Sequence, residues 1–333
     1  HALRSSTTSL AGLPGGGLEF PRFPVSALLQ HFSDDREGHL QALLSTRIHT
    51  AALNALNAES DPRSLARLAS LSGYGSSFWL QASPSQLSYT LSDHAFALAS
   101  RLRLGLPSHD HLPPLCACGV RLAADPAHFL SCKLLRPLTV TARHNAVAAF
   151  LSTTANKLGI PCFLEPPDLG LSRARPDLEL HLPDNLTFVD VSIVHPAANS
   201  YLNRAPGQAA DDRAGVKHRR YDQLAAENKG RFVPFVLESF GAIHSPAKSL
   251  LKSLRLQPHP SLPPPAPELV ARSLSVLLQK WNAQILLDGS RRAHAALRAP
   301  LQFSCPPSSA SHSGPSSSSF VLLSFAPPLS ALF

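Results

Sequence analysis

Two aspartates, Asp177 and Asp190, lie in a segment that otherwise reads as a buried hairpin, "RPDLELHLPDNLTFVDVSIVHP" (residues 175–196). Side chains alternate across a strand. Leu178, Leu180 and Leu182 therefore share one face, and Asp177, Glu179 and His181 the other. In the second strand Val189, Val191 and Ile193 fall together, opposite Phe188, Asp190 and Ser192. A one-residue slip would mix the faces, so the register is defined to within two residues. With the turn centred on Pro183-Asp184, Asp177 sits directly opposite Asp190, their Cβ atoms roughly 5 Å apart. Carboxylates that close repel, which raises one pKa unless a cation intervenes. Mg²⁺ takes one or two carboxylates and keeps several waters, polarises a phosphodiester and acidifies a bound water. The plainer alternative has both aspartates flanking the turn on a solvent-facing side of the sheet. Spacing alone leaves both readings open.

Lys217 and Tyr221 lie four apart on a helical segment further on and so share a helix face. A lysine beside a metal orients the attacking water or balances charge on a pentavalent phosphate. Otherwise "KHRR" is simply a basic helix face. A second cluster, "CACGVRLAADPAHFLSCK", offers Cys116, Cys118, His128 and Cys132, four ligands within 17 residues. Such a set can close a tetrahedral Zn²⁺ site. The single residue between the first two cysteines is tighter than usual, and the competing reading is two buried cysteines with a surface histidine.

These groups need elements to position them. Residues 139–158 read as an amphipathic helix stopped at Gly159, and "PCFLEP" as a short strand. After the hairpin, "ADDRAGVKHRRYDQLAAENKG" is a helix stopped at Gly230. "RFVPFVLESFG" is a strand that Pro234 demotes to an edge or a bulge. The order from 139 is thus α-β-β-β-α-β. Upstream, residues 1–110 are mostly helical with polar breaks. "GLPGGGLEF" is a flexible lead-in, "SALLQHF" and "HLQALLSTRIHTAALNALNA" have helical spacing, and "SDHAFALASRLRLGL" is a helix capped by Ser92 or Asp93. "RLQPHPSLPPPAPEL" is a stiff Pro-rich linker, residues 268–297 make one or two helices, and the Ser- and Pro-rich chain from 299 is expected to be disordered.

The chain has 333 residues, a formal net charge of +8 and a pI of about 9.6, a balance that suits a polyanionic partner. No run of about 18 apolar residues indicates a membrane span, and no signal-peptide pattern opens the chain. Five cysteines, three of them close together, argue for a reducing compartment and a metal rather than disulfides. Cys162 reads as a core strand residue; Cys305 has no assigned role. A chain that begins with His1 and contains no methionine reads as a fragment.

"RPD", then "VDVSIVHP", then "KHRRY", in α-β-β-β-α-β order, resembles the restriction-like endonuclease domain of non-LTR retrotransposons, a branch of the PD-(D/E)xK nuclease superfamily. "RHN" (Arg143, His144, Asn145) is similar to a triplet of that branch, and the Cys-Cys-His-Cys set to the zinc knuckle upstream of its nuclease. The resemblance covers roughly residues 85–298. It implies an α/β (α+β) restriction-endonuclease-like core with a mixed sheet. It makes Asp177 and Asp190 the metal-binding acids, Lys217 the catalytic lysine, and Tyr221 its support or a backbone contact. Ser192 stands where the wider superfamily keeps its lysine; in this branch the lysine comes from the following helix.

The implied organisation is a helical post-polymerase linker (1–110), a zinc knuckle (111–135), a nuclease (136–298, with the Pro-rich linker at about 255–267) and a tail (299–333). "SGYGSSFWLQASP" and "RLRLGLP" are similar in kind to post-polymerase segments. The reverse transcriptase itself, with its Tyr-x-Asp-Asp-type turn, is absent. The implied function is a Mg²⁺- or Mn²⁺-dependent endonuclease that nicks target DNA for target-primed reverse transcription. The alternative is a decayed, zinc-stabilised nucleic-acid-binding remnant. Arg143, Arg173, Arg175, Arg219 and Arg220 are expected to neutralise phosphates, as are Arg121, Lys133 and Arg136 by the knuckle, which either grips nucleic acid or braces the linker. Glu165 and His144 are further candidates for the acidic site; Glu179 is expected to be solvated. The expected partners are target DNA and element RNA, with no membrane and no small-molecule substrate. The expected location is nuclear, cytoplasmic before import, and not secreted.

Overall fold

The computed structural model describes residues 40–83, 90–167, 175–255 and 267–298. "GLPGGGLEF", "SALLQHF", Arg173, most of the Pro-rich linker, the tail and Cys305 lie outside these residues. The chain divides into two compact units, His1–Asp61 and Pro62–Phe333. The described part of the first, residues 40–61, is almost all helix α1 (Leu40–Glu59), which matches the helical segment read at 39–58 to within one residue at each end.

The second unit contains α2 (Pro62–Leu71), α3 (Asp93–Leu104), α4 (Thr141–Lys157), β1 (Cys162–Leu164), β2 (Leu178–Leu182), β3 (Asn185–Val194), α5 (Gln208–Glu227), β4 (Gly230–Glu238), α6 (Ser245–Arg255) and α7 (Pro267–Arg298). From α4 to β4 the order is α-β-β-β-α-β, as the periodicities predict. The four strands lie in the order β1-β2-β3-β4. The first two pairings are antiparallel and β3–β4 is parallel. Pro234 lies in β4, at one edge of this sheet, where a missing N–H costs least.

The hairpin register agrees with the face-matching argument. Leu178 pairs with Val189 and Leu182 with Asn185 around the Pro183-Asp184 turn. The leucines, Val189 and Val191 join one apolar cluster with Val147 and Leu151 of α4, Leu250 and Leu254 of α6, and Val270 and Leu274 of α7. The opposite face is not solvated. Phe188 packs on Tyr221 and Leu224, and Val194 on Ala210 and Ala214, so α5 covers it. The sheet is therefore the middle of three layers, and β3, with its run of β-branched residues, is buried on both faces. Glu179, expected in water, is half-buried with His181 Nε2 2.7 Å from its Oε1.

Local signals explain most element ends. The Ser92 hydroxyl accepts from the Ala95 N–H at 3.3 Å and caps α3. Gly159, at φ 75°, ends α4, with the Ile160 N–H donating to the Ala155 carbonyl at 3.0 Å. Gly230 does not stop α5. The helix ends at Glu227, and Lys229 takes the left-handed turn at φ 54°. Gly230 instead opens β4, where a Cβ would meet the Leu186 carbonyl oxygen at 2.8 Å, so only glycine lets β4 come this close to β3.

Helix α6 is an element that the sequence reading omits. Its Ala247, Leu250, Leu251 and Leu254 make a short apolar stripe. Residues 267–298 form one helix of 32 residues, not two. The first part of α7 packs on α4 and α6 and joins the sheet's apolar cluster through them. Its later residues Ala283, Ile285, Leu286 and Ala293 join a second core with Leu98 and Leu102 of α3, Cys116, Phe129, Cys132 and Ala197. A Cβ at Gly289 would overlap the Phe129 ring, so α7 lies directly on the knuckle. No described helix is long and apolar enough to cross a membrane.

Candidate active site and metal centre

Asp190 projects from the middle of β3 toward α5 and is 3% exposed. Lys217, one side of α5, reaches down to it, its Nζ 2.5 Å from Asp190 Oδ2. That oxygen is buried without a well-directed hydrogen bond, so the contact is an ion pair. Asp177 lies at the mouth of β2, in line with Asp190. Its Oδ2 accepts from the Val191 N–H at 2.6 Å, and its Oδ1 is 3.2 Å from His144 Nε2. The hydrogen bond to Asp177 raises the His144 pKa; burial opposes this, the charges of Asp177 and Asp190 add to it, and Lys217 lowers it. Asp177, Asp190, Lys217 and His144 thus occupy one field, drawn from β2, β3, α5 and α4.

Tyr221, one turn beyond Lys217, is 2% exposed and stacks on Phe232. Its hydroxyl donates to the Arg175 carbonyl at 2.9 Å, which fixes the backbone two residues before Asp177. Burial, then the nearby Asp190 carboxylate, hold the phenol well above its ordinary pKa, so it stays neutral. Arg213, absent from the sequence reading, donates from Nε to the Ser192 hydroxyl at 3.2 Å. Arg213, Lys217 and Tyr221 recur every four residues on one face, a signal that was available in the sequence.

Arg219 and Arg220 are exposed. Arg175 pairs with Glu165 at 3.6 Å, and the Glu165 side chain is 67% exposed, turned to this arginine. Arg143 is not available to phosphate. It is 1% exposed and donates to Asn282 Oδ1 of α7 at 2.6 Å, and burial lowers its pKa to about 10. Asn282 in turn donates to the Ser239 carbonyl at 2.7 Å, and the Ser239 hydroxyl lies 2.7 Å from His195 Nδ1. This buried chain ties α4 to the ends of β3 and β4. It needs residues far apart in sequence, so nothing local announces it.

His195 carries a pH prediction. Burial, then the charges of Arg143, Arg63 and His128, lower its pKa to about 3 from 6.5. Below 6.5 the unfolded chain takes up a proton that the folded chain refuses. Stability is therefore full above the unfolded pKa and is lost as pH falls towards about 3. One such group costs about 2 kcal/mol by about pH 5. Denaturant melts across this range are expected to show that loss, and His195→Gln to remove it.

The second centre is the knuckle. Cys116 and Cys118 flank a tight turn in which the Cys116 N–H donates to the Val120 carbonyl and Gly119, at φ 91°, supplies the bend. His128 opens a 3₁₀ turn (His128–Ser131), and Cys132 follows it. All four ligand atoms lie within 4.8 Å of one another. Cys116 Sγ and Cys132 Sγ are 3.7 Å apart, too far for a disulfide and close to the ~3.8 Å edge of a tetrahedron with 2.3 Å Zn–S bonds. Cys118 Sγ and His128 Nε2, at 2.9 Å, would open to about 3.6 Å around an ion. Burial pushes the Cys116 thiol up to about 12. For Cys118, burial is outweighed by hydrogen bonds from the Val120 backbone, Cys116 and Cys132, so its pKa falls. Soft donors in this geometry fit Zn²⁺. Among the described residues no other group of three or more His, Cys, Asp or Glu ligands is so assembled.

The chain is similar to the retrotransposable element SLACS 132 kDa protein of Trypanosoma brucei gambiense, with 29% identity over 128 residues. The match covers 35% of this chain and 11% of that much longer protein. No family model matches. The chain is a distant homologue of a retrotransposon protein; it has itself a cysteine-histidine cluster suited to zinc and a mixed α/β fold with a four-stranded sheet.

Proposed function

We propose that this chain is the C-terminal part of a non-LTR retrotransposon polyprotein. On this reading residues 136–298 are a Mg²⁺- or Mn²⁺-dependent DNA endonuclease of PD-(D/E)xK type, which nicks target DNA to prime reverse transcription by another part of the element. The observation that carries it is the meeting of Asp177, Asp190, Lys217 and His144 at one end of the hairpin. Asp190 Oδ2 is buried and makes no well-directed hydrogen bond, its charge met by Lys217 Nζ at 2.5 Å, and a buried carboxylate beside a second one in this way fits a cation site. Asp177 and Asp190 would hold the ion, which when bound supplies positive charge to the scissile phosphate and a more acidic water. Lys217 offsets charge at the same place. Tyr221 holds the strand that carries Asp177, and His144 orients that carboxylate. Arg219 and Arg220, with Arg121, Lys133 and Arg136 exposed around the knuckle, contact phosphates of DNA or element RNA, and so does Arg173. The nucleus is where such an enzyme meets its substrate.

A second reading, a zinc-stabilised nucleic-acid-binding remnant, is favoured by one observation. Both Asp177 oxygens are engaged and Asp190 is already paired with Lys217, so the set is satisfied without an ion. Plasmid nicking over a Mg²⁺ titration separates the two. Asp177→Asn and Asp190→Asn are expected to lower nicking at least about a hundredfold. Undiminished nicking by either variant would sink the nuclease reading, and an inert wild type that binds DNA with one zinc would establish the remnant.

A further inference from the structure

We propose that Asp125 orients the zinc ligand His128, and that Arg63 couples this centre to the segment following β3, so that zinc occupancy holds residues 195–199 in place. The proposal rests on the zinc reading of the knuckle and not on the nuclease.

The geometry is a short relay. His128 turns Nε2 towards the cysteines, 2.9 Å from Cys118 Sγ, so its Nδ1 faces away from the ion site. Asp125 Oδ2 lies 3.8 Å from that Nδ1. Asp125 is 5% exposed, and neither composition nor spacing marks it. At 3.8 Å the carboxylate acts through its charge, which favours a proton on Nδ1 and leaves Nε2 for the metal; closing to hydrogen-bond length on metal binding would select that tautomer and raise the basicity of Nε2. The same Oδ2 is 3.1 Å from Arg63 Nη1 of α2. That nitrogen also donates to the Ala197 carbonyl at 2.5 Å, and Nη2 donates to Asn199 Oδ1 at 2.5 Å.

One guanidinium therefore reads the knuckle and the β3 exit together. Ala197 is buried in the apolar cluster that contains Cys116 and Cys132, so the loop and the ligands also share packing. The planar, forked donors of arginine suit this double duty; an ammonium cannot span both sides at once. β3 is the strand of Asp190, so whatever anchors its exit steadies the acidic site from a distance. Arg63 and Asp125 are positioning residues.

The test uses the full chain. Zinc affinity is measured by competition with a chromogenic chelator, and amide exchange is followed at residues 195–199 with β2 as internal reference. Asp125→Asn is expected to weaken zinc about 10- to 100-fold. In the wild type, removing zinc is expected to speed exchange at 195–199 and leave β2 protected. The milder variant Arg63→Lys, with zinc bound, is expected to exchange there as fast as the zinc-free wild type. Wild-type zinc affinity in Asp125→Asn would overturn the first half. Protection at 195–199 that ignores zinc, or that survives in zinc-loaded Arg63→Lys, would overturn the second. A wild type that binds no zinc would overturn the metal reading itself, and the proposal with it.

Discussion

Chelating metal from the knuckle, or replacing Cys132 by Ser, is expected to cost more stability than any other single change considered for this molecule. Structural zinc contributes an apparent 10–16 kcal/mol in isolated knuckle-sized domains, on the order of a whole domain's folding free energy. The knuckle here has no private core. Cys116, Phe129 and Cys132 pack in the same cluster as Leu98 and Leu102 of α3, Ile285 and Leu286 of α7, and Phe240 after β4. The sheet has a separate cluster, around Leu178, Val189, Phe235 and Leu250. Loss of zinc should therefore split one thermal transition into two, the earlier one melting the knuckle, α3 and the end of α7. Calorimetry with and without chelator checks this. Cys162→Ala is the control: Cys162 belongs to the sheet cluster, so its loss should shift the melt modestly and leave zinc bound. A single, unshifted transition after full zinc removal would show that packing alone holds the knuckle.

Lys217→Met is expected to destabilise the second unit by about 3–5 kcal/mol in metal-free buffer. The lysine is 8% exposed and Asp190 3%, with 2.5 Å between their charges. Removing one partner strands the other charge in the interior. Removing both, as Lys217→Met with Asp190→Asn, should cost less than the sum, and a double-mutant cycle in denaturant measures the coupling. The same variant also probes the metal. If the aspartates hold Mg²⁺, the ion takes over part of the lysine's role, and millimolar Mg²⁺ should raise the Lys217→Met midpoint more than the wild type's. A midpoint that ignores Mg²⁺ would show that the aspartates hold no ion under those conditions.

Local patterns made the hairpin readable. Alternation and a Pro-Asp turn are short-range signals, and they place Leu178 opposite Val189. The four cysteine and histidine ligands were readable for the same reason, lying within one short segment. What covers the face with Asp190 was not, because period-two spacing says which residues share a face and nothing about whether a later helix lands on it. Arg143 shows the same limit. A guanidinium on an amphipathic helix beside His144 suggests phosphate, and only Asn282, brought from α7, makes it an interior tie. Asp125 and Arg63 carry no sequence signal, because each is an ordinary charged residue until the fold joins them. α6 was missed because a helix of 11 residues after a strand leaves only a brief stripe.

Helix α7 sets how the molecule can be divided. At 32 residues it runs about 48 Å, with its first turns against α4 and α6 beneath the sheet's apolar cluster and its later ones against the zinc ligands' neighbours. A chain cut at residue 256 would keep every strand and all four acidic-site residues, yet bare the apolar undersides of both halves at once. Trimming to the shortest segment that spans Asp177 to Lys217 would therefore yield aggregate rather than an isolated acidic site, and a soluble fragment has to run at least through Ala293, the last residue of α7 buried in the core it shares with the knuckle.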